Sequence, residues 1–288
     1  MEITALQAFV EVADRASFSE AAEALYLTQP AVSKRVALLE SELDTRLFDR
    51  IGRRVSLTPT GSALLPRARR LINDVRELKR LISDISGEVR GRLVMGTSHH
   101  IGLHRLPPVL SGFSRAYPAV NIDIDFMDSE QAYELIMQGE VELAVVTLAP
   151  QAERSVIAEP VWHDPLDFMV AVDHPLARAR KLDLARLASH PAVLPGLTTY
   201  TGQIVKGLFD RHGLQLQVSM ATNYLETIRM LASVGLGWTV LPRSMADASL
   251  RRLEVGGARI ERTLGVVYHR GRSLSRAARA FIDAVASA

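Results

Sequence analysis

One stretch decides the fold of the N-terminal part of this chain: residues 18–35, FSEAAEALYLTQPAVSKR. We expect Ser19 to cap a first helix that runs to Leu25. After a tight turn, we expect Thr28 to cap a second helix, with Pro30 in its first turn, where a missing N–H loses no hydrogen bond. The stretch therefore predicts two short helices joined by a turn.

The second of these helices has two different faces. Val32, Val36 and Leu39 recur at spacings of 4 and 3 residues, so they should pack against the first helix. Four polar or charged side chains are left on the outside: Gln29, Ser33, Lys34 and Arg35. This pattern is typical of a helix-turn-helix, whose second helix enters the major groove of DNA. A plain helical hairpin with a solvated face is the alternative.

The residues that follow weaken this alternative. Residues 47–58, LFDRIGRRVSLT, place a glycine-containing turn between two β-prone stretches, and Arg50, Arg53 and Arg54 surround that turn. A basic wing of this kind suits the phosphate backbone or the minor groove. The segment therefore favours a winged DNA-binding domain.

These motifs closely resemble the N-terminal domain of LysR-type transcriptional regulators. The resemblance is carried by FSEAA (18–22), LTQPAVS (27–33), LLE (38–40), RLFDR (46–50) and LTPTG (57–61). It implies an all-α winged helix-turn-helix domain with a long linker helix, followed by an α/β effector-binding domain. By the same resemblance, the DNA-binding residues are Ser19, Thr28, Gln29, Pro30, Ala31, Ser33, Lys34, Arg35, Arg50, Arg53 and Arg54.

The DNA-binding side chains divide into two groups by their chemistry. Gln29 and Ser33 both donate and accept hydrogen bonds, which suits base edges or phosphates. The cations should mainly supply affinity for phosphate: Lys34, Arg35, Arg53 and Arg54. Residues 1–58 hold 7 Lys and Arg against 9 acidic residues, so their formal charge is −2. Binding to double-stranded promoter DNA would therefore depend on where the charges lie and not on their sum.

Residues 59–89 are predicted to form a linker helix that begins at Pro59, behind a Thr58 cap. Its apolar positions are separated alternately by 4 and 3 residues: Leu64, Ala68, Leu71, Val75, Leu78, Ile82 and Ile85. Such a narrow heptad stripe favours pairing with a second chain, although a single buried helix is the alternative. Pro66 should break one backbone hydrogen bond. The resemblance implies self-association as a dimer or tetramer.

From about residue 90, runs rich in β-branched residues alternate with helical stretches, which predicts βαβ units and a largely parallel sheet. The resemblance implies a two-lobed fold like that of type 2 periplasmic binding proteins. We expect domains at 1–58, 59–89 and 90–288, with lobe 1 at about 90–160 and 265–288 and lobe 2 at 161–264. Pro160 and Pro165 should flank the outward crossover, and residues 264–267 should carry the return.

Ligands in such folds bind beyond the carboxyl ends of the strands. The side chains predicted there are rich in hydroxyls: Thr97, Ser98, His99, His100, Thr147, Thr198, Thr199, Tyr200 and Asn223. Hydroxyl donors near helix N-termini suit a small anion, either a carboxylate or an inorganic oxyanion. The alternative is that the Ser and Thr residues only cap the helices that follow.

Three histidines suggest a metal site, since His100 and His104 are one helical turn apart and His99 precedes them. The sequence offers no cysteine and no evident carboxylate ligand beside them, so we expect no metal and no cofactor. His99 or His100 would instead contact an anionic effector, or would be ordinary neutral histidines.

Several function classes are excluded or disfavoured. The lack of cysteine excludes disulfides and thiol-based sensing. The sequence carries no P-loop, dinucleotide fingerprint or nucleophile elbow, so we expect a regulator and not an enzyme. We see no secretion signal and no membrane-spanning run, which favours a cytoplasmic protein over an exported solute-binding protein. RNA polymerase is a further candidate partner. We expect effector binding to close the lobes and change how paired chains bend DNA.

Overall fold

The computed structural model describes residues 1–51, 54–84, 88–179 and 181–288. The chain forms two compact units. Unit 1 comprises Met1–Gly87 with Gln138–Glu140, and unit 2 comprises Glu88–Met137 with Val141–Ala288.

Unit 1 is a small helical domain with a two-stranded wing. Its elements are α1 (Ile3–Arg15), α2 (Phe18–Ala24), α3 (Gln29–Glu42), β1 (Phe48–Ile51), β2 (Arg54–Leu57) and α4 (Pro59–Asp84). The predicted apolar face of α3 is confirmed, because Val32, Val36 and Leu39 are fully buried in a shared core with α1. The pair α2–α3 therefore has the helix-turn-helix arrangement.

The cap of α2 differs from the prediction. Ser17, and not Ser19, precedes the helix, and its Oγ accepts a hydrogen bond from the N–H of Glu20 at 3.3 Å. The helix begins two residues earlier than expected, at Phe18, which is buried and packs edge-on against Phe48 of the wing. Ser19 thus lies exposed in the first turn.

Helix α4 starts at Pro59 as predicted and continues through Pro66. Its heptad stripe has two different environments. Ala68 and Ile72 are buried in the core of unit 1, and Leu64 packs against it while partly buried. This corrects the assignment of Leu64 and Ala68 to a seam between two chains. Leu71 and Leu78 are 42% and 60% exposed. The first half of α4 is thus part of the DNA-binding core. Ile85 lies outside the described residues.

Unit 2 is an α/β domain. Its first elements are β3 (Gly91–Thr97), α5 (His99–His104), α6 (Leu106–Ala116), β4 (Val120–Phe126), α7 (Ser129–Gln138), β5 (Leu143–Thr147) and β6 (Val156–Ala171). They are followed by α8 (Leu184–Ala188), β7 (Ala192–Leu194), α9 (Tyr200–Asp210), β8 (Val218–Ala221), α10 (Leu225–Ser233), β9 (Thr239–Pro242), β10 (Leu250–Leu253), β11 (Ile260–His269) and α11 (Arg276–Ala286).

Only part of the sheet structure is parallel. Strand β3 pairs in parallel with β4 and β5, and β7 pairs in parallel with β8, as the alternating pattern predicts. Strands β6 and β11 pair antiparallel with each other, and β11 is also antiparallel to β5, which corrects the expectation of a largely parallel sheet. The reason is topological, since one crossover strand leaves lobe 1 and the other returns to it.

The crossover itself is one long strand pair. Strand β6 runs for 16 residues through both Pro160 and Pro165 and does not stop at them. Its register with β11 shifts at Leu264/Gly265, where a Cβ on Gly265 would lie 2.2 Å from the carbonyl oxygen of Glu159. Glycine is therefore required for the two backbones to approach this closely.

Each lobe has its own core. In lobe 1, Phe113 and Phe281 pack edge-on at a centroid distance of 5.1 Å. In lobe 2, Trp238 stacks on Phe209 and donates its indole N–H to the carbonyl of Leu187 at 2.9 Å. The two lobes, each with its own core, are joined by the crossover strands β6 and β11.

Candidate functional site

A small cavity of about 50 Å³ lies in the cleft of unit 2, where several strands end. It is lined by Ser98, His99, His100, Asp128, Ser129, Glu130, Thr147, Pro195, Thr199, Tyr200, Thr201, Asn223, Leu225 and Arg262. Seven of the nine residues proposed from the sequence are among them: Ser98, His99, His100, Thr147, Thr199, Tyr200 and Asn223.

Two of the predicted threonines have structural roles, and a third does not line the cavity. Thr97 is fully buried and does not line the cavity, because its hydroxyl donates to the carbonyl of Val145 on the neighbouring strand at 2.8 Å. Thr198 is also absent from the lining. Thr199 lines the cavity but caps α9, since its Oγ1 accepts the N–H of Gly202 at 3.1 Å. For Thr199, the capping alternative therefore accounts for the side chain.

The sequence reasoning missed the charged group at the centre of the cleft. Arg262 of β11 is 6% exposed, and its Nε donates to Oδ2 of Asp164 on β6 at 2.8 Å. Its Nη1 donates to the hydroxyl of Thr201 at 3.0 Å. Its Nη2 is buried without a hydrogen-bond partner among the described residues. Burial lowers the pKa of Arg262, and Asp164 opposes that shift.

His100 is the second buried polar group without a partner. It is 4% exposed, and neither of its ring nitrogens has a hydrogen-bond partner within the described part of the chain. Burial, helped by the positive charge of Arg262, lowers the pKa of His100 to about 3. His100 is therefore neutral at pH 7. The neighbouring His99 instead packs its ring against Phe126 and Tyr224.

Hydrogen bonds hold the two lobes together across the cleft. The amide Nδ2 of Asn223 donates to Oδ2 of Asp128 at 2.6 Å. The backbone N–H of Tyr200 donates to the carboxylate of Glu130. Burial raises the pKa of Tyr200 to about 12, so its phenol stays protonated. With these contacts in place the cavity has room for one or two water molecules, each of which occupies about 30 Å³ in the liquid.

The outer face of α3 carries the predicted DNA-binding side chains. Gln29, Pro30 and Lys34 are exposed, and Ala31, Ser33 and Arg35 are half-buried. Nε2 of Gln29 donates to Oγ of Ser33 at 3.0 Å, which holds the two side chains beside each other. Thr28 is at the N-cap and exposed, without a side-chain capping bond.

Tyr26 is an exposed aromatic residue that the sequence reasoning passed over. It is 95% exposed in the turn before α3 and has a positive φ of 54°. Its position in the turn was evident from the sequence, but its exposure was not.

The wing is a paired hairpin fixed to α3. Strands β1 and β2 align Phe48 with Leu57, and Arg50 and Arg54 lie on these strands. Arg53 lies outside the described residues. Oε1 of Glu40 on α3 accepts the backbone N–H of Leu47 at 2.7 Å, so α3 directly positions the start of the wing.

A winged helix-turn-helix joined to a two-lobed α/β domain with a polar cleft defines a ligand-responsive DNA-binding regulator. Residues 3–62 match the bacterial regulatory helix-turn-helix protein, lysR family, and residues 86–288 match the LysR substrate binding domain. The chain belongs to the LysR family of transcriptional regulators. Within the described ranges, no helix combines the length and apolar character needed to cross a membrane.

Similar proteins agree with this assignment over nearly the whole chain. The RuBisCO operon transcriptional regulator of Allochromatium vinosum is 30% identical over 287 residues, 98% of this chain and 94% of that protein. A full-length OxyR from Pseudomonas aeruginosa has a TM-score of 0.73 at 23% identity, covering 99% and 98% of the two chains. CbnR complexed with its target DNA has a TM-score of 0.68 at 19% identity, covering 99% of each chain. These relatives are regulators and not enzymes.

Proposed function

We propose that this LysR-type regulator responds to a small anion, a carboxylate or an inorganic oxyanion, bound in the cleft between its lobes. Arg262 lines the cavity, and the observation that carries the proposal is its buried Nη2, which has no hydrogen-bond partner among the residues that the structure describes. An unsatisfied donor on a buried cation is costly, and an anionic acceptor would remove that cost.

The charges around Arg262 support the same conclusion. Asp164 lies within 3.4 Å of Nη2 of Arg105 as well as within hydrogen-bond distance of Arg262. One carboxylate thus serves two guanidinium groups, so the group of Arg105, Asp164 and Arg262 carries one net positive charge. The Asp128 and Glu130 carboxylates in the same lining accept the N–H groups of Asn223 and Tyr200, and an anion at Nη2 of Arg262 would balance the charge of the arginine group.

The cavity also offers neutral donors beside Arg262. The N–H of Thr147 donates to Oγ of Ser129 at 3.2 Å, so the Ser129 hydroxyl keeps its own hydrogen for a ligand. Ser98 also lines the cavity. The carboxylates of Asp128 and Glu130 accept hydrogen bonds, which favours an anion that also carries hydroxyl groups.

A thermal-shift series tests this proposal directly. Formate, lactate, succinate, sulfate and phosphate would be compared with lactamide and succinamide, which keep the shape of the carboxylates without their charge. We expect at least one anion to raise the melting temperature with increasing concentration, because it binds the folded state only. If no anion has this effect, or if the amides act equally, the effector is not an anion.

We further propose that two chains pair through the exposed apolar residues of α4. Leu71 and Leu78 are seven residues apart, on one side of the helix, and both are exposed in the single chain. Pairing would present two α3 helices to the two halves of a pseudo-palindromic promoter site. Anion binding in the cleft would then change the bend or spacing imposed on the DNA, which footprinting with and without the anion measures.

A further inference from the structure

We propose that His100, His104 and Glu226 form a binding site for a divalent transition-metal ion, with Zn²⁺ as the best-suited ion. The three side chains each bring one ligand atom into a group in which all separations are within 4.8 Å. Nε2 of His104 lies 2.9 Å from Oε1 of Glu226, and Nδ1 of His100 lies 3.9 Å from the same oxygen.

The composition of the group matches zinc chemistry. Two imidazoles and one carboxylate are a ligand set of zinc sites that keep a fourth position open. Ligands bound tetrahedrally at about 2.0–2.1 Å from the metal lie about 3.3 Å apart. The separations observed here span that value, so small side-chain rotations would bring all three atoms to bonding distance.

The burial of His100 is the independent observation that a ligand is missing. A hydrogen bond between His104 and Glu226 explains those two residues as an ordinary exposed pair. It does not explain His100, which is only 4% exposed although neither of its ring nitrogens has a hydrogen-bond partner among the described residues. A metal bound to one nitrogen would satisfy the group that the protein leaves unpaired, and neutral imidazole is the form that binds metals.

The sequence argument against a metal was the lack of a nearby carboxylate, and the fold supplies one. Glu226 lies on α10, 122 residues after His104 in the chain. The histidines belong to lobe 1 and the carboxylate to lobe 2, so a bound ion would join the lobes at one edge of the cleft. This site does not use Arg262 and does not depend on the anion proposed above.

The test is a zinc titration of the full-length protein, purified in EDTA and then freed of it, followed by calorimetry and by competition with a chromogenic chelator. We expect one Zn²⁺ per chain in the wild type. His104→Ala and Glu226→Gln should each bind at least about tenfold more weakly, because each removes one of three ligands. Both residues are partly exposed, so neither change should unfold the protein.

Two controls make the outcome decisive. His163→Ala removes an exposed histidine far along the chain and should leave zinc binding unchanged. Ser129→Ala, which removes an uncharged hydroxyl from the cavity lining, should also retain zinc binding, which separates this site from the anion site. No stoichiometric binding by the wild type, or unchanged affinity in either the His104 or the Glu226 variant, would overturn the proposal. Replacing Zn²⁺ by Co²⁺ should give the strong visible absorption of a four-coordinate ion.

Discussion

Arg262 donates its Nε hydrogen to Oδ2 of Asp164 over 2.8 Å, at a place where the two side chains are only 5% and 2% exposed. The two residues lie on β11 and β6, the strands that connect the lobes. Arg262 therefore lines the cleft from a strand that also connects the two lobes.

Removing one member of this pair should destabilise the domain strongly. We expect Arg262→Met to lower the free energy of unfolding by about 3–5 kcal/mol, because the Asp164 carboxylate loses its hydrogen-bonded partner while still buried. The double variant Arg262→Met/Asp164→Leu should recover part of this loss. Urea denaturation measures both effects. If the wild type and the single variant are equally stable, Arg105 alone is enough to stabilise the buried carboxylate of Asp164.

The strand-end rule predicted much of the cleft, but it could not find Arg262. Thr147 is the last residue of β5, and His99 and Asn223 lie two residues after β3 and β8, so the rule places all three at the cavity. Arg262 lies inside a strand, and its partners Thr201 and Asp164 are 61 and 98 residues away. Only the tertiary fold brings such groups together, and no local pattern reports it.

The two classes of DNA-binding residue should respond differently to substitution. Gln29→Ala should reduce discrimination between target and scrambled duplex by about 1–3 kcal/mol, if its amide contacts a base edge. Lys34→Ala should weaken binding to both duplexes alike and reduce the salt slope by about 1. Fluorescence anisotropy over a salt series measures both quantities. If Gln29→Ala weakens binding to both duplexes equally, Gln29 contacts phosphate and not a base edge.

Helix α4 offers a matched pair of apolar substitutions. Ile72 is 4% exposed in the core of unit 1, so Ile72→Ala should cost about 2–5 kcal/mol of stability. Leu78 is 60% exposed, so Leu78→Ala should leave the stability of the single chain nearly unchanged but weaken self-association. Denaturation and sedimentation equilibrium separate the two. If the Leu78 variant self-associates as strongly as the wild type, the two chains pair through another surface.

The pH dependence of stability has an identifiable contributor at His174. Its Nδ1 accepts the N–H of Leu176 at 3.2 Å, which requires the neutral ring. Burial and the nearby His190 lower the pKa of His174, although Asp173 opposes this. The unfolded chain therefore binds a proton near pH 6.5 that the folded chain resists, so stability falls as the pH drops below about 6.5.

His174 is the N-cap residue of a short 3-10 helix, Pro175–Arg178, and a cap that cannot titrate should remove this contribution. Asn also accepts hydrogen bonds at a helix N-cap, so His174→Asn should keep the capping bond at every pH. We expect the variant to lose less stability than the wild type between pH 7.5 and pH 5.5, measured by urea denaturation. Parallel pH profiles for the two proteins would exclude His174 as the source.

The fold could be predicted best where contacts are local. The period of Val32, Val36 and Leu39 identified the buried face of α3 because helical neighbours are close in sequence. The heptad stripe of α4 was harder to interpret, since an apolar residue looks the same whether it meets its own domain or a second chain. The antiparallel crossover depends on strands about 100 residues apart, which no local pattern encodes.

The packing of α4 also bears on how this regulator can be divided and recombined. Ala68 and Ile72 belong to the same buried core as α1, so a fragment ending at residue 58 would leave part of that core uncovered. A transplantable DNA-binding module must therefore carry α4 at least as far as Ile72. In a hybrid regulator, the junction between the DNA-binding module and a different sensor domain should therefore lie after α4 and not after the wing.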